Sequence, residues 1–157
     1  MSNGKGSEMS DRRTFIVGLS AICASMGCTS PIAAENGQGN IRAALKALIG
    51  EATPVEGMII LDLPEIAENG NTVPYTVSVE SPMTNTQYAK AVHLLAPANP
   101  LPQISSFFFT PLSGKATVSS RMRLAQTQEV LVFAEMSNGT FYTAKRPVTV
   151  TVGGCGG

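Results

Sequence analysis

The sequence predicts an all-β protein, an antiparallel sandwich with one helix before it and a flexible glycine-rich arm after it. Three observations carry this. From residue 58 onward apolar residues recur with a period of two, and turn-forming clusters punctuate them at short, regular spacing. Only one stretch shows the three- and four-residue spacing of a helix, and it precedes all the strands. The last five residues, 153–157, contain four glycines.

The first 34 residues read as an export signal rather than as part of the fold. A polar start runs into Asp11-Arg12-Arg13-Thr14-Phe15-Ile16, and a short apolar stretch through Met26 follows. Paired Arg12 and Arg13 ahead of an apolar run are the pattern of twin-arginine export. A membrane anchor would need about 20 consecutive apolar residues, whereas Gly18, Ser20, Ser25 and Gly27 interrupt this one. Cleavage is expected near Ala34. A weaker alternative takes Ser25-Met26-Gly27-Cys28 as a lipoprotein acceptor. Removal of the signal takes Cys23 and Cys28 with it, so the mature chain keeps Cys155 alone. In an oxidising compartment a single cysteine either pairs with another molecule or stays a reactive thiol.

A helix is expected over 40–50. Ile41, Ala44, Leu45, Leu48 and Ile49 line one face, Asn40 is placed to cap the start, and Gly50 is placed to end it. Its apolar face must pack on the same domain or on a partner.

Among the strands, Tyr75, Val77 and Val79 alternate with polar neighbours. Ala116 to Leu124 and Val148 to Val152 do the same, and each therefore reads as half-buried. Turns are expected at Glu68-Asn69-Gly70-Asn71, Ser81-Pro82, 97–102, 111–114 and Ser137-Asn138-Gly139. Asn138-Gly139 between Val130–Met136 and Phe141–Ala144 predicts a hairpin, both residues tolerating positive φ. The spacing suggests roughly seven strands. Met58-Ile59-Ile60-Leu61 and Phe107-Phe108-Phe109 are apolar on both faces, which fits strands covered on both sides or strands that also meet a partner.

The C-terminal Gly153-Gly154-Cys155-Gly156-Gly157 is where the chemistry concentrates. Glycines bring no side chain to bury and the greatest backbone freedom, so a mobile arm is expected, reaching roughly 17 Å when extended. Side-chain-free neighbours would let the Cys155 sulfur enter a narrow channel. The thiolate is the reactive species, and no built-in cation or helix terminus is evident to lower the thiol pKa, so activation would come from a partner's site. The competing reading is an incidental tail on an exported structural or adhesion module, or a cysteine that links two copies by a disulfide.

Composition excludes other classes. Eleven basic and eleven acidic residues give a net charge of +0, and only 14% of residues are charged, so no basic field exists to hold nucleic acid. One histidine, His93, and one mature cysteine do not supply the three or four fixed ligands of a metal site. Glu65 and Glu68 could pair as acid and base, but a solvated loop explains them more simply. Arg121 and Arg123 read as solvated surface or a partner contact. No nucleophile–base pair or cofactor fingerprint is present, so the chain is not expected to be an enzyme.

The terminal Val150-Thr151-Val152-Gly153-Gly154-Cys155-Gly156-Gly157 resembles the signature of the SoxY family, the sulfur-carrying subunits of the bacterial Sox thiosulfate-oxidation system. Pro64 to Gly70 with Val73-Pro74, Ser81 to Thr84, Asn99 to Pro102, Ser120 to Ala125 and the twin-arginine leader agree with it. The resemblance implies an immunoglobulin-like sandwich over 35–152 that forms a heterodimer with SoxZ. It implies a periplasmic carrier on whose Cys155 sulfur is covalently bound, with no other cofactor. Cys155 would be loaded by the c-type cytochrome SoxXA, then visit the hydrolase SoxB and, where present, the sulfur dehydrogenase SoxCD. Twin-arginine export moves folded cargo, so pairing with SoxZ is expected before export. No stable membrane anchor is implied.

Overall fold

A computed structural model describes residues 35–154. The export segment with Arg12 and Arg13, Cys23 and Cys28, and the terminal Cys155, Gly156 and Gly157 lie outside the described residues.

Helix α1 spans Glu35–Ile49. It begins five residues before the expected start, so Asn40 sits inside it and does not cap it. Once a helical turn exists, adding a residue to its end costs far less than nucleating a new one. The far end agrees with the sequence: Gly50 takes φ 60° and its N–H donates to the Lys46 carbonyl at 3.1 Å. Ile41, Ala44, Leu45, Leu48 and Ile49 are only half-buried.

Nine strands follow: β1 (Val55–Glu56), β2 (Ile59–Asp62), β3 (Ile66–Asn69), β4 (Val73–Val79), β5 (Ala89–Leu95), β6 (Gln103–Phe108), β7 (Ala116–Met122), β8 (Gln128–Met136) and β9 (Phe141–Val152). The larger sheet runs in the order β1-β9-β8-β5-β6, with β3 also pairing with β9. The smaller is β2-β4-β7. Leu61, Val73, Tyr75, Val77, Leu94, Leu124, Val130, Val132 and Val148 meet in one buried core, as the period-two pattern requires when two sheets face each other. A mostly β sandwich with one leading helix is thus confirmed.

Four details differ from the expectation. Short β1 and β3 were not anticipated, and both run parallel to β9. Four residues carry too little periodicity to distinguish a strand from the turn that was expected at Glu68-Asn69. Phe141 to Val152 is one continuous strand despite Lys145, Arg146 and Pro147, because β8 pairs with it from Phe141 through Val148. At the hairpin only Gly139 takes positive φ, 82°. Asn138 instead offers its side chain, whose Oδ1 accepts the Thr140 N–H at 3.0 Å. Finally, of the two readings of the apolar runs, coverage on both faces does not hold for β2 and β6 among the described residues: Ile60 and Phe108 are 56% and 77% exposed.

Candidate functional site

Strand β9 leads to the terminal arm, and its last turn of chain is braced more heavily than the sequence suggests. Pairing with β8 stops at Val148, opposite Gln128. Beyond it, β3 takes one side of β9 through Ile66–Thr149, Ala67–Val150 and Asn69–Val152. On the other side the Thr127 hydroxyl accepts the Val150 N–H at 2.9 Å. A side chain thus replaces a strand that has ended, so that a backbone donor is not left unpaired.

The chain does not come free after Val152. The Gly70 N–H donates to the Val152 carbonyl at 2.7 Å, the Leu124 N–H donates to the Gly70 carbonyl at 2.8 Å, and the Gly154 N–H donates to the Leu124 carbonyl at 2.8 Å. Three backbones therefore lie against each other with no side chain between them. A Cβ at Gly70 would overlap the Leu124 carbonyl, one at Gly153 the Ala125 carbonyl, and one at Gly154 the backbone of Gly70 and Asn71. Glycine is needed here for space as well as for freedom. The arm expected to move from Gly153 onward is seated for its first two residues.

What holds the 123–125 segment is a buried amide. Asn99, 9% exposed, donates from Nδ2 to the Arg123 carbonyl at 2.8 Å and accepts the Ala125 N–H on Oδ1 at 2.9 Å. The Gln128 Nε2 also donates to Asn99 Oδ1, at 3.0 Å. With all its polar atoms engaged, Asn99 locks that segment on both sides of Leu124, whose side chain is fully buried.

The other candidates separate from this corner. His93 lies in β5, 5% exposed, with Nδ1 2.7 Å from the Ser106 hydroxyl and its ring edge-on to Phe108 at 6.2 Å. Burial lowers its pKa, against the opposing charge of Glu135. Among the described residues no group of three or more His, Cys, Asp or Glu could hold a metal ion. Glu65 immediately precedes β3 and Glu68 lies within it, both exposed, and the Glu65 carbonyl accepts the Thr149 N–H at 2.9 Å. Arg121 and Arg123 are exposed, as the sequence indicated, and among the described residues neither is in an ion pair. Gly70, Asn99, Leu124 and Thr127 escaped the sequence reading, since Gly70 and Asn99 sit in turn-like clusters and no pattern marks a close backbone approach. No helix among the described residues is long and apolar enough to cross a membrane.

The family model described as "Sulfur oxidation protein SoxY" matches residues 45–155, from the helix through the terminal cysteine. The chain belongs to the SoxY family. The solved sulfur carrier protein SoxY from Chlorobium limicola f thiosulfatophilum is 35% identical. The match covers 73% of this chain and 99% of that one, with a TM-score of 0.61. A superoxide reductase (neelaredoxin) from Ignicoccus hospitalis matches at 14% identity over 60% of this chain and 80% of its own, TM-score 0.54, which shows a shared fold alone. No protein of curated function matches. Membership in the SoxY family, together with the likeness to a solved carrier, supports a sulfur-carrier role.

Proposed function

We propose that the protein is the periplasmic sulfur carrier of a thiosulfate-oxidation system, with Cys155 as the covalent attachment site. The single observation that carries this is the position of Cys155: the family match extends to it, and it stands one residue beyond a seated glycine pair at the end of β9. Residues 1–34, through Arg12 and Arg13, direct twin-arginine export and are removed. The mature domain works as a heterodimer with SoxZ.

In the carrier cycle the Cys155 thiol and thiosulfate join through a new S–S bond. The product is the cysteine S-thiosulfonate, with one proton and two electrons released, and the c-type cytochrome SoxXA accepts the electrons. Water then cleaves the terminal sulfonate at SoxB, releasing sulfate and two protons and leaving a cysteine persulfide. SoxCD, where present, oxidises that sulfur further. The thiolate is the attacking form, and the partner's site supplies its activation. This chain contributes the sulfur atom, its tether and its placement, and no catalytic group.

Intact and peptide mass spectrometry of protein from thiosulfate-grown cells tests the reading. Adducts are expected on Cys155, and Cys155→Ser abolishes thiosulfate-dependent respiration while the domain still folds. Respiration that survives Cys155→Ser, or adducts placed elsewhere, would overturn it.

A further inference from the structure

We propose that Gly153 and Gly154 are a clasp and not part of the swinging tether, and that Gly70 and Asn99 are positioning residues that set where Cys155 leaves the domain. The inference rests on the carrier reading and adds to it the place at which the tether begins. Its observations are geometric. Gly154 donates to Leu124, Leu124 donates to Gly70, and Gly70 donates to Val152, so residues on both sides of Gly153 are tied into one ring of backbone contacts. None of the three glycines has room for a Cβ. Asn99 holds Arg123 and Ala125 from behind, which keeps the Leu124 carbonyl aimed at Gly154.

A tether that only needed freedom would not require this fit. Serine or alanine at Gly153 would serve a loose linker nearly as well, yet a side chain there collides with Ala125. The clasp leaves residues 155–157 beyond it. Cys155 is then the first residue past a fixed point, and the thiol starts from a defined place on the domain. Fewer residues have to be ordered when it enters a partner's channel, which lowers the entropic cost of each visit. The price is reach, because each residue held back removes about 3.3–3.6 Å of extended chain.

The test compares wild type with Gly153→Ala, Gly70→Ala and Cys155→Ser, expressed as the full chain with its native partners. Hydrogen exchange of the C-terminal peptide reads the Gly154 amide, and thiosulfate-dependent oxygen uptake reads delivery. Alkylation of Cys155 by iodoacetamide reads the thiol itself. In wild type the Gly154 amide is protected. In Gly153→Ala and Gly70→Ala that protection is lost and oxygen uptake falls about tenfold to a hundredfold, the order that a misplacement of about 1 Å costs. Alkylation by the small reagent does not slow, which a damaged or buried thiol would not allow.

A Gly154 amide that exchanges at the free-peptide rate in wild type overturns the clasp. So does protection that survives Gly153→Ala, wild-type uptake in a variant whose protection is lost, or alkylation that slows in step with uptake. Should Gly70→Ala fail to fold, Gly153→Ala decides alone, since it follows the last strand. Uptake that persists in Cys155→Ser refutes the carrier reading itself, whereas uptake that needs Cys155 but ignores the clasp refutes only this inference.

Discussion

The Thr127 hydroxyl accepts the N–H of Val150 at 2.9 Å, two residues past the point where β8 stops pairing with β9. One side chain thereby extends the support of the strand that leads to the proposed attachment site, Cys155. Thr127→Val keeps the shape and removes the acceptor. It is expected to cost about 1 kcal/mol, the usual net worth of a single hydrogen bond, measured by urea denaturation. Faster exchange should be confined to the Val150 end of β9, and equal acceleration along all of β8 and β9 would show that the brace is not local.

Leu124 joins the core to the arm. Its side chain is fully buried while its two backbone groups bind Gly70 and Gly154. Leu124→Ala should destabilise the domain by about 2–5 kcal/mol, as truncation of a buried leucine does. A loss below that range in a denaturant titration would mean that neighbouring side chains refill the space.

His93 makes stability depend on pH. Burial holds its folded pKa below the unfolded value of 6.5, so the unfolded chain binds the proton more readily. Its contribution is therefore fully present above pH 6.5 and is lost as pH falls from there through the depressed folded value. The difference between wild type and His93→Gln, followed by thermal unfolding across that window, isolates it from the carboxylates. A difference that stays constant with pH contradicts the buried, neutral ring.

Gly139 takes φ 82° at the β8–β9 hairpin. Gly139→Ala should cost about 1–2 kcal/mol, the penalty of a left-handed backbone for a residue with a Cβ. Asn138→Ala should cost less, because that residue contributes only an exposed side-chain acceptor. Calorimetric unfolding of the two variants ranks them, and the reverse order would point to a different turn.

The amino-acid pattern was enough for the sandwich, the leading helix and the β8–β9 hairpin. Each of these follows from local chemistry: alternation over Tyr75–Val79, helical spacing over Ile41–Ile49, and an Asn-Gly pair. Pairings between distant segments were not legible in it. That Ile66–Asn69 would lie parallel to the end of β9 depends on which strand edge remains open after β8 has ended, and four residues cannot announce it. The glycines at 70, 153 and 154 show the same division. Their sequence says only that a side chain is missing, and flexibility is the natural inference. The tertiary structure brings Gly70 against Gly154, 84 positions later in the chain, with the Leu124–Ala125 backbone packed beside them, and turns that missing side chain into a requirement for close packing.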